Sequence, residues 1–235
     1  MHPIVRTARI TGLLYLGIVF TGIGFYFLLL PELFAADKPG LTMANLTQHE
    51  GLARAIVAVE LLMVIVQTLT AVWFYLLFRP ATPSAAAGIA AFGLVNAVVA
   101  LVSAGLLATA LQISLDPFGD ATFTAHTLYL ISDNIWDVGA LFFGLWLIPM
   151  GWCVLRSGWM PAALGWILVA GGVGYILSAF VRYLLPDADL VAEALAYPAT
   201  VGEFWMVGYL LIHGVRRRAL GQVSVSPAAP APTTA

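Results

Sequence analysis

Charge is the scarcest commodity in this chain. Only 9% of its 235 residues are Asp, Glu, Lys or Arg, against about 25% in an ordinary soluble domain. That excludes a water-exposed globule. A single cysteine, Cys153, excludes an intramolecular disulfide. It lies in an apolar run and reads as a packing residue. No basic stripe or basic-aromatic pattern is present, so nucleic acid is not a partner. No H-E-x-x-H, G-x-S-x-G, Walker or C-x-x-C motif occurs, and no cofactor is implied.

What the chain does have is apolar length. Hydrophobic residues make up 61% of it and the mean hydropathy is +0.95. A bilayer crossing needs roughly 20 apolar residues. The first such run is 10–30, preceded by Arg6 and Arg9. It is too long for a usual signal-peptide core and no clean A-x-A site follows, so it reads as a retained helix. A polar loop, 31–46, follows. Thr47-Gln48-His49-Glu50 fits a capping box, and the second helix runs from it to about residue 78, stopping at Arg79. The third, 85–111, carries no charge.

After a second polar loop, 112–123, the fourth helix reaches residue 155. Its start falls either near Thr124 or near Asp133, because Ser132-Asp133-Asn134 is good N-cap material. Pro149 should kink it. The fifth helix, 161–185, contains the small stretch Ala170-Gly171-Gly172-Val173-Gly174, which suits close helix packing. A third polar loop, 186–198, precedes the sixth helix, 199–215. Trp152, Trp159 and Trp166 read as an interfacial aromatic belt.

The expected fold is therefore all-α: a polytopic membrane helix bundle of six transmembrane helices over 1–218, with a disordered Pro/Ala-rich tail over 219–235. Arg6, Arg9, Arg79, Arg156, Arg216, Arg217 and Arg218 fall at one end. Glu32, Asp37, Glu50, Asp116, Asp120, Asp187, Asp189 and Glu193 fall at the other. The basic end predicts a cytoplasmic location for both termini, in the cell inner (plasma) membrane, with membrane lipid as the surrounding partner. The oligomeric state is left open.

Ionisable residues inside apolar spans are costly and mark candidate sites. Glu60 and Asp137 each lie 19 residues before an arginine, Arg79 and Arg156, which is about 28 Å of helix. Arg182 falls at a similar height, Glu203 and Gln67 deeper. Glu60, Gln67, Asp137, Arg182 and Glu203 thus form a candidate outward-facing pocket that binds or transports a small polar or cationic ligand, or protons. His126, Asp133, Asp137 and Glu60 form a candidate metal set, with which the chain would be a metal-dependent intramembrane enzyme acting on lipid. The bland alternative is a structural or sensory subunit. It would use Arg182 with Glu60 or Asp137 to hold helices together, Asp133 as a cap, and His126, His49 and His213 as interfacial residues. The second-third and fourth-fifth hairpins share a weak pattern of carboxylate, nineteen residues, arginine, turn and proline, as parallel repeats in transporters do.

Phe142-Phe143-Gly144-Leu145, Gly151, Arg156-Ser157-Gly158, Pro161 and Leu164-Gly165 carry a family resemblance. Ala8-Arg9-Ile10-Thr11-Gly12, Leu14-Tyr15, Arg54 with Glu60, and Glu203 extend it to about 7–215. On these residues the chain resembles the bacterial six-helix membrane family known as domain of unknown function 4386. The resemblance implies the topology and no activity. The family pattern has a histidine near Trp146 and often an acid near Gln67; this chain departs at both.

Overall fold

The computed structural model describes residues 3–185 and 187–216. Arg217, Arg218 and the 219–235 tail lie outside them. Every regular element among the described residues is helical. Six helical spans are long and apolar enough to cross a membrane, and the protein is a multi-pass membrane helix bundle. Its apolar surface follows from that solvent. Leu61, Leu62, Ile65, Val98 and Leu101 are all exposed, on the faces a lipid phase would cover, while backbone polar groups are spent inside helices.

The first span comprises α1 (Pro3–Ile23), a π-helical turn (Gly24–Leu29) and the short α2 (Leu30–Leu33). The π turn is seen at Leu30, whose N–H reaches back to the Phe25 carbonyl. The other spans are α4 (Glu50–Phe78), α5 (Pro83–Leu115), α6 (Ala121–Ser157), α7 (Ala162–Leu184) and α8 (Asp189–Ile212). Each packs on the next in sequence, and α1 closes the ring against both α4 and α8. Arg79, Arg156 and Arg216 follow or close α4, α6 and α8 at one end of the bundle. Thr82 donates to the Cys153 sulfur there at 3.0 Å, and the Arg216 N–H donates to the Trp159 carbonyl at 3.0 Å.

Several boundaries differ from expectation. The 31–46 loop contains a helix, α3 (Pro39–Gln48). Pro39 starts it, since a proline at the first helical position gives up no needed N–H. Asn45 ties it down by donating to the carbonyls of Glu32 and Leu33. The capping box does not form: Thr47 bonds back to the Met43 and Ala44 carbonyls, and His49 stands at the start of α4 without a side-chain cap.

The fourth span begins earlier than either expected start. Asp120 is its cap, accepting from the Phe123 N–H at 3.0 Å. At 37 residues α6 is about 55 Å long, well beyond a ~30 Å hydrocarbon core. Asp133 therefore sits inside a helix and caps nothing. The sixth span also starts early, at Asp189, and runs through Pro198. A proline deletes one intrahelical bond but does not end a membrane helix whose neighbours pack closely. Trp159 leaves the expected belt: it is fully buried and stacks on Phe78 at 5.9 Å. Trp152 and Trp166 stay exposed.

Backbone approaches backbone closely between α6 and α7. A Cβ built on Gly144 would lie 2.5 Å from the Gly172 carbonyl oxygen, and one on Gly172 would lie 2.7 Å from that of Gly144. Gly151 and Gly165 repeat the arrangement seven residues along each helix, at 2.5 and 3.0 Å. Between these helices Gly158 takes φ +65°, a left-handed conformation that a side chain resists. Gly171 and Gly174 turn the other way, against Ala199 and Leu195 of α8.

Candidate functional site

The expected single cluster divides into two places. The first is sealed. Glu60 on α4 is fully buried, and its Oε1 accepts from Ser103 Oγ of α5 at 2.5 Å. Ser103 Oγ lies 2.7 Å from Ser132 Oγ of α6 and accepts from Trp136 Nε1 at 3.0 Å. A serine hydroxyl has one donor and two acceptor sites. With Glu60, Ser132 and Trp136 around it, Ser103 uses all three. Glu60 Oε2 has no hydrogen-bond partner among the described residues.

One layer nearer the basic end, Gln67 Nε2 donates to the Gly93 carbonyl at 3.3 Å. Because α4 and α5 run antiparallel through these two contacts, Asn96 falls level with Gln67. Asn96 is buried and its amide has no partner among the described residues. Below it Trp146 fills the ring's centre, against Phe74 and Tyr15 at 6.0 Å each. Gly93 makes room for that indole, since any Cβ there would collide with it.

The second place is open. A cavity of about 470 Å³ lies among α1, α6, α7 and α8. Glu203 lines it from α8 and is held by Tyr15 of α1, whose hydroxyl donates to Oε1 at 2.6 Å. Asp137 lines it from α6, towards the acidic end. The walls between the two carboxylates are aromatic: Tyr26 in the π turn, Trp136 and Phe143 on α6, and Tyr175 on α7. Trp136 belongs to both places, with its ring in the cavity wall and its N–H in the Glu60 network. Arg182 stands near the rim, its Nε 3.6 Å from Asp137 Oδ1, with both side chains substantially exposed. An exposed pair of that length contributes little to stability, about 0–1 kcal/mol.

Of the residues expected to share one pocket, then, Glu203 and Asp137 line the cavity and Arg182 pairs with Asp137. Glu60 and Gln67 are turned into the α4–α5 packing instead. Arg182 pairs with Asp137 and not with Glu60, which is fully buried against Ser103. The expected metal set is not assembled: among the described residues no three His, Cys, Asp or Glu side chains converge. His126 is buried beside Tyr129, with Nδ1 unpartnered among the described residues. Asp133 lies one turn before Asp137 on α6.

Sequence reasoning missed the partners rather than the acids. Tyr15 and Tyr26 stand in apolar stretches, where hydropathy does not separate a cavity wall from a lipid face, and Trp136 stands among Asp133, Asn134 and Asp137, which drew the attention instead. Ser103 was visible as one of the few polar residues of its span, but nothing in its spacing tied it to Glu60.

Comparison with known proteins bears on architecture. A family model described as Domain of unknown function (DUF4386) matches residues 10–214. The chain is also similar to an uncharacterized protein of Archaeoglobus fulgidus, 28% identical over 166 residues, which cover 71% of this chain and 86% of that one. No solved structure matches.

Proposed function

The chain belongs to the DUF4386 family, and from that premise we propose that it is a membrane receptor or carrier for a small cationic solute. In this reading it lies in the cell inner membrane with both termini cytoplasmic, and the cavity faces away from the cytoplasm. The clustering of arginines at one end supports the orientation. One observation carries the ligand class: two carboxylates, Glu203 and Asp137, line a cavity whose intervening walls are aromatic. Ring faces attract cations, most strongly where water is excluded, and the carboxylates supply the opposite charge. Tyr15 fixes Glu203 by its hydroxyl, so the acceptor is oriented before a ligand arrives, which lowers the cost of binding.

A purely structural role is the reading best supported for Glu60, which is spent on Ser103 and Trp136. An intramembrane metalloenzyme has no comparable support, since its ligands stand apart.

Isothermal titration of the purified protein in lipid nanodiscs with tetramethylammonium tests the proposal. Saturable binding to the wild type, weakened at least tenfold by Glu203→Gln, is the expected result. Equal binding by the two proteins, or none by either, would overturn it.

A further inference from the structure

We infer that the cavity takes an amphipathic cation directly from the bilayer, through a lateral mouth between α1 and α8; this rests on the cation reading above. The two helices touch only over part of their length. At the basic end a Cβ on Gly12 would lie 2.8 Å from Leu210 Cβ, and Gly214 sits against Val5. Continuing that antiparallel register brings Gly22 level with Thr200. There the helices no longer meet, and both residues line the cavity. A Cβ on Gly22 would touch nothing within 4 Å.

The rim of this gap is apolar and turned outward. Ile23, Phe27 and Phe204 all line the cavity, yet they are 42%, 77% and 53% exposed. On a membrane span those exposed surfaces meet acyl chains rather than water. The π turn begins at Gly24, two residues beyond Gly22. Such turns interrupt the regular α-helical ladder and recur at functional sites; here it sits on the strand of chain that forms one jamb of the mouth. Glu203 is at the inner end of the same cavity. A ligand with its cationic head at Glu203 and an apolar body lying out through the gap would satisfy both surfaces. A purely hydrophilic cation would leave the rim unused.

The shape of the site sets the occupant's form. The head is a compact ammonium-type group sized to the aromatic walls. The body is an alkyl chain or apolar ring continuous with the lipid phase. A small ion without such a body reaches Glu203 past Asp137 at the acidic end instead.

An alkyltrimethylammonium series tests the inference, using the wild type in nanodiscs with empty nanodiscs subtracted. Affinity is expected to rise from tetramethylammonium through butyltrimethylammonium to octyltrimethylammonium, by up to about fourfold per methylene while the chain stays in the mouth. Gly22→Trp should cost octyltrimethylammonium at least tenfold more affinity than it costs tetramethylammonium. Retained binding of the small ion also shows that the variant is folded. If tetramethylammonium binds at Glu203 but lengthening the chain adds nothing, or Gly22→Trp leaves the octyl compound unaffected, lateral entry is overturned while the cation reading stands. If no member of the series binds the wild type, both fall.

Discussion

Ser103 decides what Glu60 is for. Its hydroxyl is the short donor to the carboxylate, and the Trp136 indole, at 3.4 Å, is the long one. Removing the hydroxyl leaves Trp136 alone to serve a fully buried acid. Losing one partner of a buried polar group costs about 1–3 kcal/mol. Ser103→Ala is therefore expected to lower the unfolding free energy by about that amount in detergent, with cation affinity unchanged. A change in affinity without a change in stability would instead move Glu60 into the binding site. Glu203 has the opposite profile, since it faces space rather than packing. Both residues stand in apolar spans, so depth could be counted from the sequence but direction could not. A carboxylate 19 residues from an arginine can face either a cavity or a neighbouring serine. Only the rotation of α4 against α5 separates the two, and that is fixed by many small contacts.

At the scale of elements, the α6–α7 hairpin is held by close backbone packing. Gly144 with Gly172, and Gly151 with Gly165, let two backbones approach until carbonyls fill the space a Cβ would need. Without a hydrophobic driving force between helices in lipid, such close packing is a principal source of association. Gly172→Leu should cost about 1–3 kcal/mol or more, read as a lower unfolding midpoint. Gly105→Ala is the control: its Cβ would meet nothing within 4 Å, and alanine gains about 0.5–1 kcal/mol over glycine in a helix. If both substitutions destabilise equally, the packing account of the glycines is wrong. Gly144, Gly151 and Gly165 carried the family resemblance, together with the Arg156-Ser157-Gly158 turn. The residues most legible as a signature thus serve a helix contact and a left-handed turn, which explains why they specify a fold and no reaction. Helix ends were less legible. Pro198 stops a helix in water, and the sequence offered no sign that α8 would pass through it with Gly171 and Gly174 against the adjoining turns.

For the whole molecule, the six spans could be counted from hydropathy because lipid imposes one simple demand, apolar length. The ring closure of α1 against α4 and α8 could not, because it depends on which faces carry small residues. That closure is tight at the basic end and parts towards the acidic end, and the parting makes the cavity. The bundle therefore has a solid half, built on Phe74, Phe78, Trp146 and Trp159, and a half that is open on one side. The most direct measurement of this division is thiol labelling in nanodiscs with a membrane-impermeant cationic methanethiosulfonate. Cys153 is fully buried and should give no background. Ala140 lines the cavity, while Ala100, on the neighbouring helix, is sealed in the packing near Ser103. Ala140→Cys is expected to react, and to be protected by tetramethylammonium, while Ala100→Cys stays unmodified. Labelling of Ala100→Cys, or an inert Ala140→Cys, would contradict the separation of an open Glu203 cavity from a closed Glu60 network.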